Sequence, residues 1–296
     1  MEKIVVNESG KRIDEYVATT LDISRSKVAK MNKEDCLFVN DDKVKNSYQV
    51  KEGDIITYEI LNEKNVLLPA EMDIKIVYED DDVIVVDKDN GVVVHPAVGN
   101  RENTLVNGLI YHSKQLSNID EFRPGIVHRI DAYTTGLLMI AKNDEAHLNL
   151  AKQLEEKTIK RKYKALVWGI INHDTGTIDA PIGRDANDRK KMSVTSLNSK
   201  KAVTHFKVLE RLDKATLIEL QLETGRTHQI RVHMNYIGHP VVNDPVYGRK
   251  KLIDETGQCL HAYLLGFNHP KTGEYLEFTS ELPDCFTNIL NQFRNS

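Results

Sequence analysis

Cysteine is scarce in this chain: Cys36, Cys259 and Cys285 are odd in number and far apart. Such a set supplies neither a disulfide framework nor a cysteine-based zinc site, and suits thiols kept reduced in a cytoplasm. No apolar run approaches the ~20 residues that span a bilayer. The opening MEKIVVNESGKR lacks the apolar core of a secretory signal. A membrane partner is therefore not expected, and the chain is read as a cytoplasmic monomer. Several catalytic signatures are missing as well. There is no GxxxxGK[ST] phosphate loop, no GxGxxG after a strand, no HExxH and no GxSxG. Eleven histidines are present, but His228 and His233 are five apart, which does not align two ligands on one helical face. His128 has no glutamate two residues on, so the zinc-deaminase pattern fails too. No metal and no cofactor are expected.

The 296 residues suffice for one large domain, or for a small one and a medium one. Hydrophobic (40%) and charged (28%) fractions are those of a globular protein. The formal net charge of −4 argues against a nucleic-acid partner, which usually calls for a basic domain. Clustering weakens that argument: TIKRKYK (158–164), RDANDRKK (184–191), GRTHQIRVH (225–233) and GRKK (248–251) are local basic groups in the second half.

Residues 1–62 read as a separate module. RIDEYVATTL places Ile13, Tyr16, Val17 and Leu21 on one helical face, and Ser24 is an N-cap for a second helix with Val28 and Met31 inside. CLFVNDDKV reads as strand, turn, strand, and GDIITYEIL as a closing strand. A polar linker, 63–73, precedes a domain covering 74–296. There IKIVYED and DVIVVDK are strands around an acidic turn, and NTLVNGLIYHSKQL is helical. LLMIAK is a buried strand followed by a helix capped at Asn143 or Asp144. KYKALVWG, AVTHFKVLERL, ATLIELQL and YLEFTSEL add further strands. The pattern predicts an α+β domain on a mixed, largely antiparallel sheet.

Two charged clusters carry the functional reading. HRIDAYTTGLL (128–138) sets His128, Arg129 and Asp131 at the mouth of the buried strand, where a charge is costly unless paired or used. In ETGRTHQIRVHMNYIGHP, Ile230, Met234 and Ile237 recur at helical spacing up to a stop at Gly238. Thr227, His228 and Arg231 then fall on an adjacent face. Asp131 and Arg231 form either an ordinary ion pair or an oriented oxygen nucleophile with its arginine, and the residues alone leave both open.

RPGIVHRIDAYTTGLLMIAKND together with LETGRTHQIRVHMNYIGHPVVNDPVYG resembles the pseudouridine synthases of the ribosomal large-subunit RNA family. KTIKRKYKALVWG and VIVVDKDNGVVVHPAVGN are similar to further motifs of that family, and the N-terminal module resembles the S-four type of RNA-binding domain. The resemblance implies RNA as partner, large-subunit ribosomal RNA foremost, and isomerisation of uridine to pseudouridine. It implies that Asp131 is the catalytic aspartate, that Tyr163 stacks under the uracil and that Arg231 pairs with Asp131. Arg129 takes the place of the flipped uridine, and His128 and Thr135 shape the loop. Arg226 and His228 belong to the substrate-binding motif, and Arg25, Lys27 and Lys30 of the module are placed to meet RNA. The runner-up is an RNA-binding assembly protein with an inactive synthase domain. The chain departs from the family at Asp89, where a proline is usual, and at Ala132 and Tyr133, where a basic and an acidic residue commonly follow the aspartate.

Overall fold

A computed structural model describes residues 1–60, 67–96, 100, 102–188, 191–248 and 252–295. The chain divides into two compact units, Met1–Val66 and Leu67–Ser296.

The first unit contains β1 (Glu2–Val5), α1 (Ile13–Thr20), α2 (Arg25–Lys33), β2 (Leu37–Val39) and β3 (Ile55–Tyr58). The strands form an antiparallel sheet in the order β1-β3-β2. Ile13, Tyr16, Val17, Val28 and Met31 fill its core with Leu37 and Ile56, as the helical spacing predicts. Ser24 caps α2 by accepting the Lys27 N–H at 3.2 Å. The second strand expected in CLFVNDDKV does not form. Asn40 and Asp41 turn the chain with positive φ, and pairing ends in an isolated Val39–Asp42 bridge. The buried Asn32 side chain then takes the Val44 carbonyl at 2.9 Å, so this backbone is satisfied without a ladder. β1 pairs with the other side of β3, so β2 stays at the edge of the sheet.

The second unit starts with β4 (Lys75–Glu79), β5 (Val83–Lys88), α3 (Leu105–His112), β6 (Thr135–Ala141), α4 (Asp144–Glu155) and β7 (Lys160–Trp168). It continues with β8 (Thr175–Asp179), β9 (Ile182–Arg184), β10 (Met192–Val194), β11 (Val203–Arg211), β12 (Ala215–Leu222) and α5 (Gln229–Tyr236). β13 (Leu260–Asn268), β14 (Tyr275–Thr279) and α6 (Asp284–Arg294) complete it. One mixed sheet runs β4-β5-β6-β13-β7-β12-β11-β8, with β14 added to β13, while β9 and β10 form a separate hairpin. Only the β6–β13 pairing is parallel among the described strands. Of the expected linker, residues 63–66 lie outside the described ones. Leu68 and Ala70 are hydrogen-bonded to Asn107 of α3 at 2.8 and 3.0 Å.

Local chemistry explains the joints. Asp80 Oδ1 accepts the N–H groups of Asp82 and Val83, closing the acidic turn between β4 and β5. Asn143 accepts the Ala146 N–H and caps α4. Both faces of the sheet are covered at β5 and β6. Ile84, Val86, Leu138 and Ile140 enter one core, and Val83, Val85, Leu137, Met139 and Ala141 the other. Each large buried side chain contributes about 1.5–3 kcal/mol, so β6 is a stiff support for a charge placed at its end.

Gly136 is where β6 meets β13. Its φ is +108°, and a Cβ there would lie 2.3 Å from the Ala262 carbonyl oxygen. Gly136→Ala should therefore destabilise the protein by roughly 3 kcal/mol or more, combining backbone strain and a clash with main chain. A urea midpoint that does not move would contradict this account of the joint.

Candidate active site

Asp131 lies on the turn that leads into β6. Its carbonyl accepts the Thr134 N–H at 3.1 Å. The turn is tied down at Ala132, Thr134 and Thr135. Lys88 Nζ donates to the carbonyls of Ala132 (2.7 Å) and Asp89 (2.8 Å). Gln258 donates to the Thr134 hydroxyl at 3.0 Å. The Thr135 hydroxyl meets His261 Nδ1 at 2.8 Å, and the other His261 nitrogen faces the Ser280 carbonyl. Thr135 thus acts on the loop through β13. Burial pushes the Lys88 amine down to about 7, against the charges of Asp131 and Asp89 that raise it.

Arg231 lies in the first turn of α5, only 4% exposed, and its guanidinium is split between two acids. Nη1 donates to Asp131 Oδ2 at 2.9 Å, while Nε and Nη2 grip both oxygens of Asp244 at 2.7 and 2.8 Å. The Asp244 side chain is fully buried and also accepts the N–H groups of Val246 and Tyr247. Burial works against its charge, but the Arg231 hydrogen bonds and charge prevail and hold Asp244 below the ordinary carboxylate range. Burial likewise opposes the Arg231 cation, and Asp244 and Asp131 more than restore it. The bidentate Asp244 contact fixes the plane of the guanidinium, and the remaining arm holds Asp131.

Thr227 and His228 do not share the helical face with Arg231 that the spacing suggests. Gln229 turns back on the chain, accepting the Arg226 N–H at 3.0 Å, so α5 begins one residue after His228. His228 adopts a left-handed φ of 56°. Its Nδ1 meets the Tyr247 hydroxyl at 2.9 Å, and that hydroxyl accepts the Met192 N–H. The other ring nitrogen, Nε2, lies 3.8 Å from Asp131 Oδ1. Burial, aided by Arg231 and Arg129, lowers the His228 pKa against the pull of Asp131 and Asp244. Asp131 Oδ1 has no hydrogen bond among the described residues.

These groups open onto a cavity of about 480 Å³, within the ~300–1,000 Å³ typical of ligand sites. Tyr163, buried on β7, forms part of its wall with Ile230 and Leu260. His128 lines it too, with Nε2 accepting the Met139 N–H at 3.1 Å. Burial and the Arg161 charge push His128 down to about 3, so it is a neutral brace between loop and strand. Arg129 is exposed at the mouth, its Nη1 3.1 Å from His95 Nε2. Burial, then the Arg129 and Arg123 charges, bring His95 down to about 4, which leaves this nitrogen an acceptor. Arg226 also borders the cavity and donates Nε to the Lys201 carbonyl.

The module residues lie in the first unit. Arg25 donates to Asp14 at 2.9 Å, sharing that carboxylate with Arg12, so much of its charge is already matched. Lys27 and Lys30 follow on α2. Residues 189–190 and 249–251 of two basic runs lie outside the described residues. Among the described residues, the cluster with metal-ligand spacing is Asp80, Asp82 and His269. It is occupied internally: His269 Nδ1 accepts the N–H groups of Lys271 and Thr272, and Nε2 donates to Asp80.

The sequence profile of RNA pseudouridylate synthases matches residues 82–236, a stretch that holds Asp131, Tyr163 and Arg231. The chain belongs to the RNA pseudouridylate synthase family. An RNA pseudouridine synthase of Bacillus subtilis is 53% identical over 98% of this chain and 96% of its own length. Ribosomal large subunit pseudouridine synthase D of Neisseria meningitidis is 44% identical over 97% of this chain and 79% of its own. Among solved structures, human RNA pseudouridylate synthase domain containing 1 superposes with a TM-score of 0.59 at 27% identity, covering 76% of this chain and 96% of that one. This synthase is thus an isomerase acting on RNA. Its α+β fold, with a mostly antiparallel sheet, is the one expected. No helix among the described residues is long and apolar enough to cross a membrane.

Asp244, Tyr247, Lys88 and His95 escaped the reading of the sequence. The first two lie in VVNDPVYG, where the acid stands between Asn243 and Pro245, three residues before the aromatic.

Proposed function

We propose that this synthase converts a uridine of large-subunit ribosomal RNA to pseudouridine, with Asp131 as the nucleophile on a uridine flipped from its stack into the cavity. The observation that carries the reading is the division of labour on Asp131. Oδ2 is held by a buried arginine, while Oδ1 has, among the described residues, the Nε2 edge of His228 at 3.8 Å and no hydrogen bond, and is left to react. The isomerisation breaks the bond from C1′ to N1, turns the base and joins C1′ to C5. A hydrogen leaves C5 and a proton joins N1, so the composition is unchanged and no electrons are gained or lost. What the reaction needs is a nucleophile and walls that retain the freed base. Tyr163 is suited to stack beneath the uracil. Extruding the base costs a few kcal/mol, and Arg129, resting on a neutral His95 at the mouth, is suited to fill the space left behind. The ribosomal assignment rests on relatives named for the large subunit.

The test is to map pseudouridine by carbodiimide and primer extension across total RNA, with and without the gene. In the strain without it, the primer-extension stops in large-subunit ribosomal RNA are expected to disappear. Disappearance confined to transfer RNA would overturn the substrate, and an unchanged pattern the whole reading.

The first unit is proposed to be an S-four-like module that positions RNA through α2 and takes no part in the chemistry. It has its own core, so a chain starting at Leu67 should fold and modify a minimal hairpin. On long ribosomal RNA it should bind more weakly, with the salt slope of log K flattened by roughly 0.7 to 0.9 for every phosphate that α2 would otherwise neutralise. Equal affinity and slope on long RNA would show that the module serves another end.

A further inference from the structure

Arg161 has no part in the roles above, yet it lines the same cavity. It stands on β7 two residues before Tyr163, and alternate residues of a strand share a face. Its Nε is buried without a hydrogen-bond partner, and no ion pair or hydrogen bond of its terminal nitrogens exists among the described residues. The other cavity arginines differ: Arg231 has two carboxylates, Arg129 has His95, Arg226 has the Lys201 carbonyl and Arg123 has Asp120 at 4.0 Å. A half-buried guanidinium with no acceptor is costly, and the cost is offset only when an anion arrives. On one side the guanidinium meets only a glycine. Gly225 faces the guanidinium, and a Cβ there would lie 3.3 Å from Nη1. The neighbouring His128 offers no negative charge, being neutral, with an Nδ1 that is also buried and unpartnered.

We infer that Arg161 binds a backbone phosphate of the RNA beside the nucleotide held over Tyr163. This rests on the proposed placement of the flipped uridine. A uracil carbonyl is the weaker candidate, because a neutral oxygen leaves the charge unmatched, whereas a phosphodiester matches it and accepts two N–H bonds in the fork geometry of arginine.

The test measures affinity for a hairpin RNA with a uridine-containing loop, for the full-length protein, Arg161→Met and Arg161→Lys, over a range of salt. Each loop phosphate is replaced in turn by an uncharged methylphosphonate. Arg161→Met should weaken binding about tenfold and flatten the slope of log K against log salt by roughly 0.7 to 0.9. Arg161→Lys should recover the slope and only part of the affinity. One methylphosphonate should weaken the wild type but not Arg161→Met. A salt slope unchanged in Arg161→Met overturns the inference. So does a slope that changes while every methylphosphonate acts equally on both proteins, since the charge would then act at a distance. Thermal unfolding separates a packing role, which would shift the midpoint without touching the slope. The readout is binding, so a wild type that binds with this profile but forms no pseudouridine would refute the function proposed above and leave this phosphate site standing.

Discussion

Asp131→Asn should abolish pseudouridine formation, by on the order of 10⁴-fold or more, the scale on which removal of a nucleophile acts in other enzymes. The amide keeps the size of the carboxylate, and an amide oxygen can still accept from Arg231 Nη1, now 2.9 Å from Oδ2. The turn is held independently by Lys88, Gln258 and His261, so the fold and the affinity for RNA should be nearly intact. Single-turnover assays with base-specific mapping would measure the remaining rate. A variant that retains even a few per cent of the wild-type rate would remove Asp131 from the nucleophilic role.

The second large effect concerns the pair beneath it. Arg231→Met should cost about 3–5 kcal/mol, because it strands the charge of Asp244 in the interior. Activity should fall with it, since Asp131 loses the hydrogen bond that aims it. Arg231→Met combined with Asp244→Asn should recover most of the stability, since the amide removes the stranded charge and keeps an oxygen to accept the Val246 and Tyr247 N–H groups. It should recover none of the activity. Urea denaturation of both variants, beside turnover, decides the matter: a double variant that regains activity would show that the arginine only packs. Asp244 also predicts an acid dependence. Its folded pKa is depressed, so its contribution is complete above the ordinary carboxylate range near pH ~4. That contribution drains away as pH falls through the folded value, and in the double variant this part of the acid sensitivity should vanish.

What could be read in the sequence was what is local. The helices of the first unit, the Asn143 cap, the burial of β6 and the charged mouth at 128–131 follow from spacings of a few residues. The pairing of Asp131 with Arg231 spans a hundred residues and came from family resemblance rather than spacing. Asp244 went unnoticed because a lone acid between Asn243 and Pro245 carries no sign of the cation that will meet it. The same holds for β13, whose run CLHAYLLGFN has no clean alternation. It is bordered by β7 on one side and by β6 and β14 on the other, so most of its residues are buried. Such runs read equally as strand or helix. The helical expectation for Thr227 and His228 failed for a related reason, since Gln229 spends its side chain on the preceding turn.

The place of β13 in the sheet bears on how the enzyme is made. Residues 260–268 lie late in the chain but in the middle of the sheet, and one tie of the turn that carries Asp131, Thr135 on His261, closes a loop of 126 residues. Ribosomes release a chain from its N-terminus at roughly 5–20 residues per second, so Asp131 is synthesised well before its scaffold exists. Long closures of this kind make folding slow. A nascent chain stopped before residue 260 thus carries every proposed reacting group but lacks β13 and the His261 tie, so its site is expected to assemble only after the last strands are made.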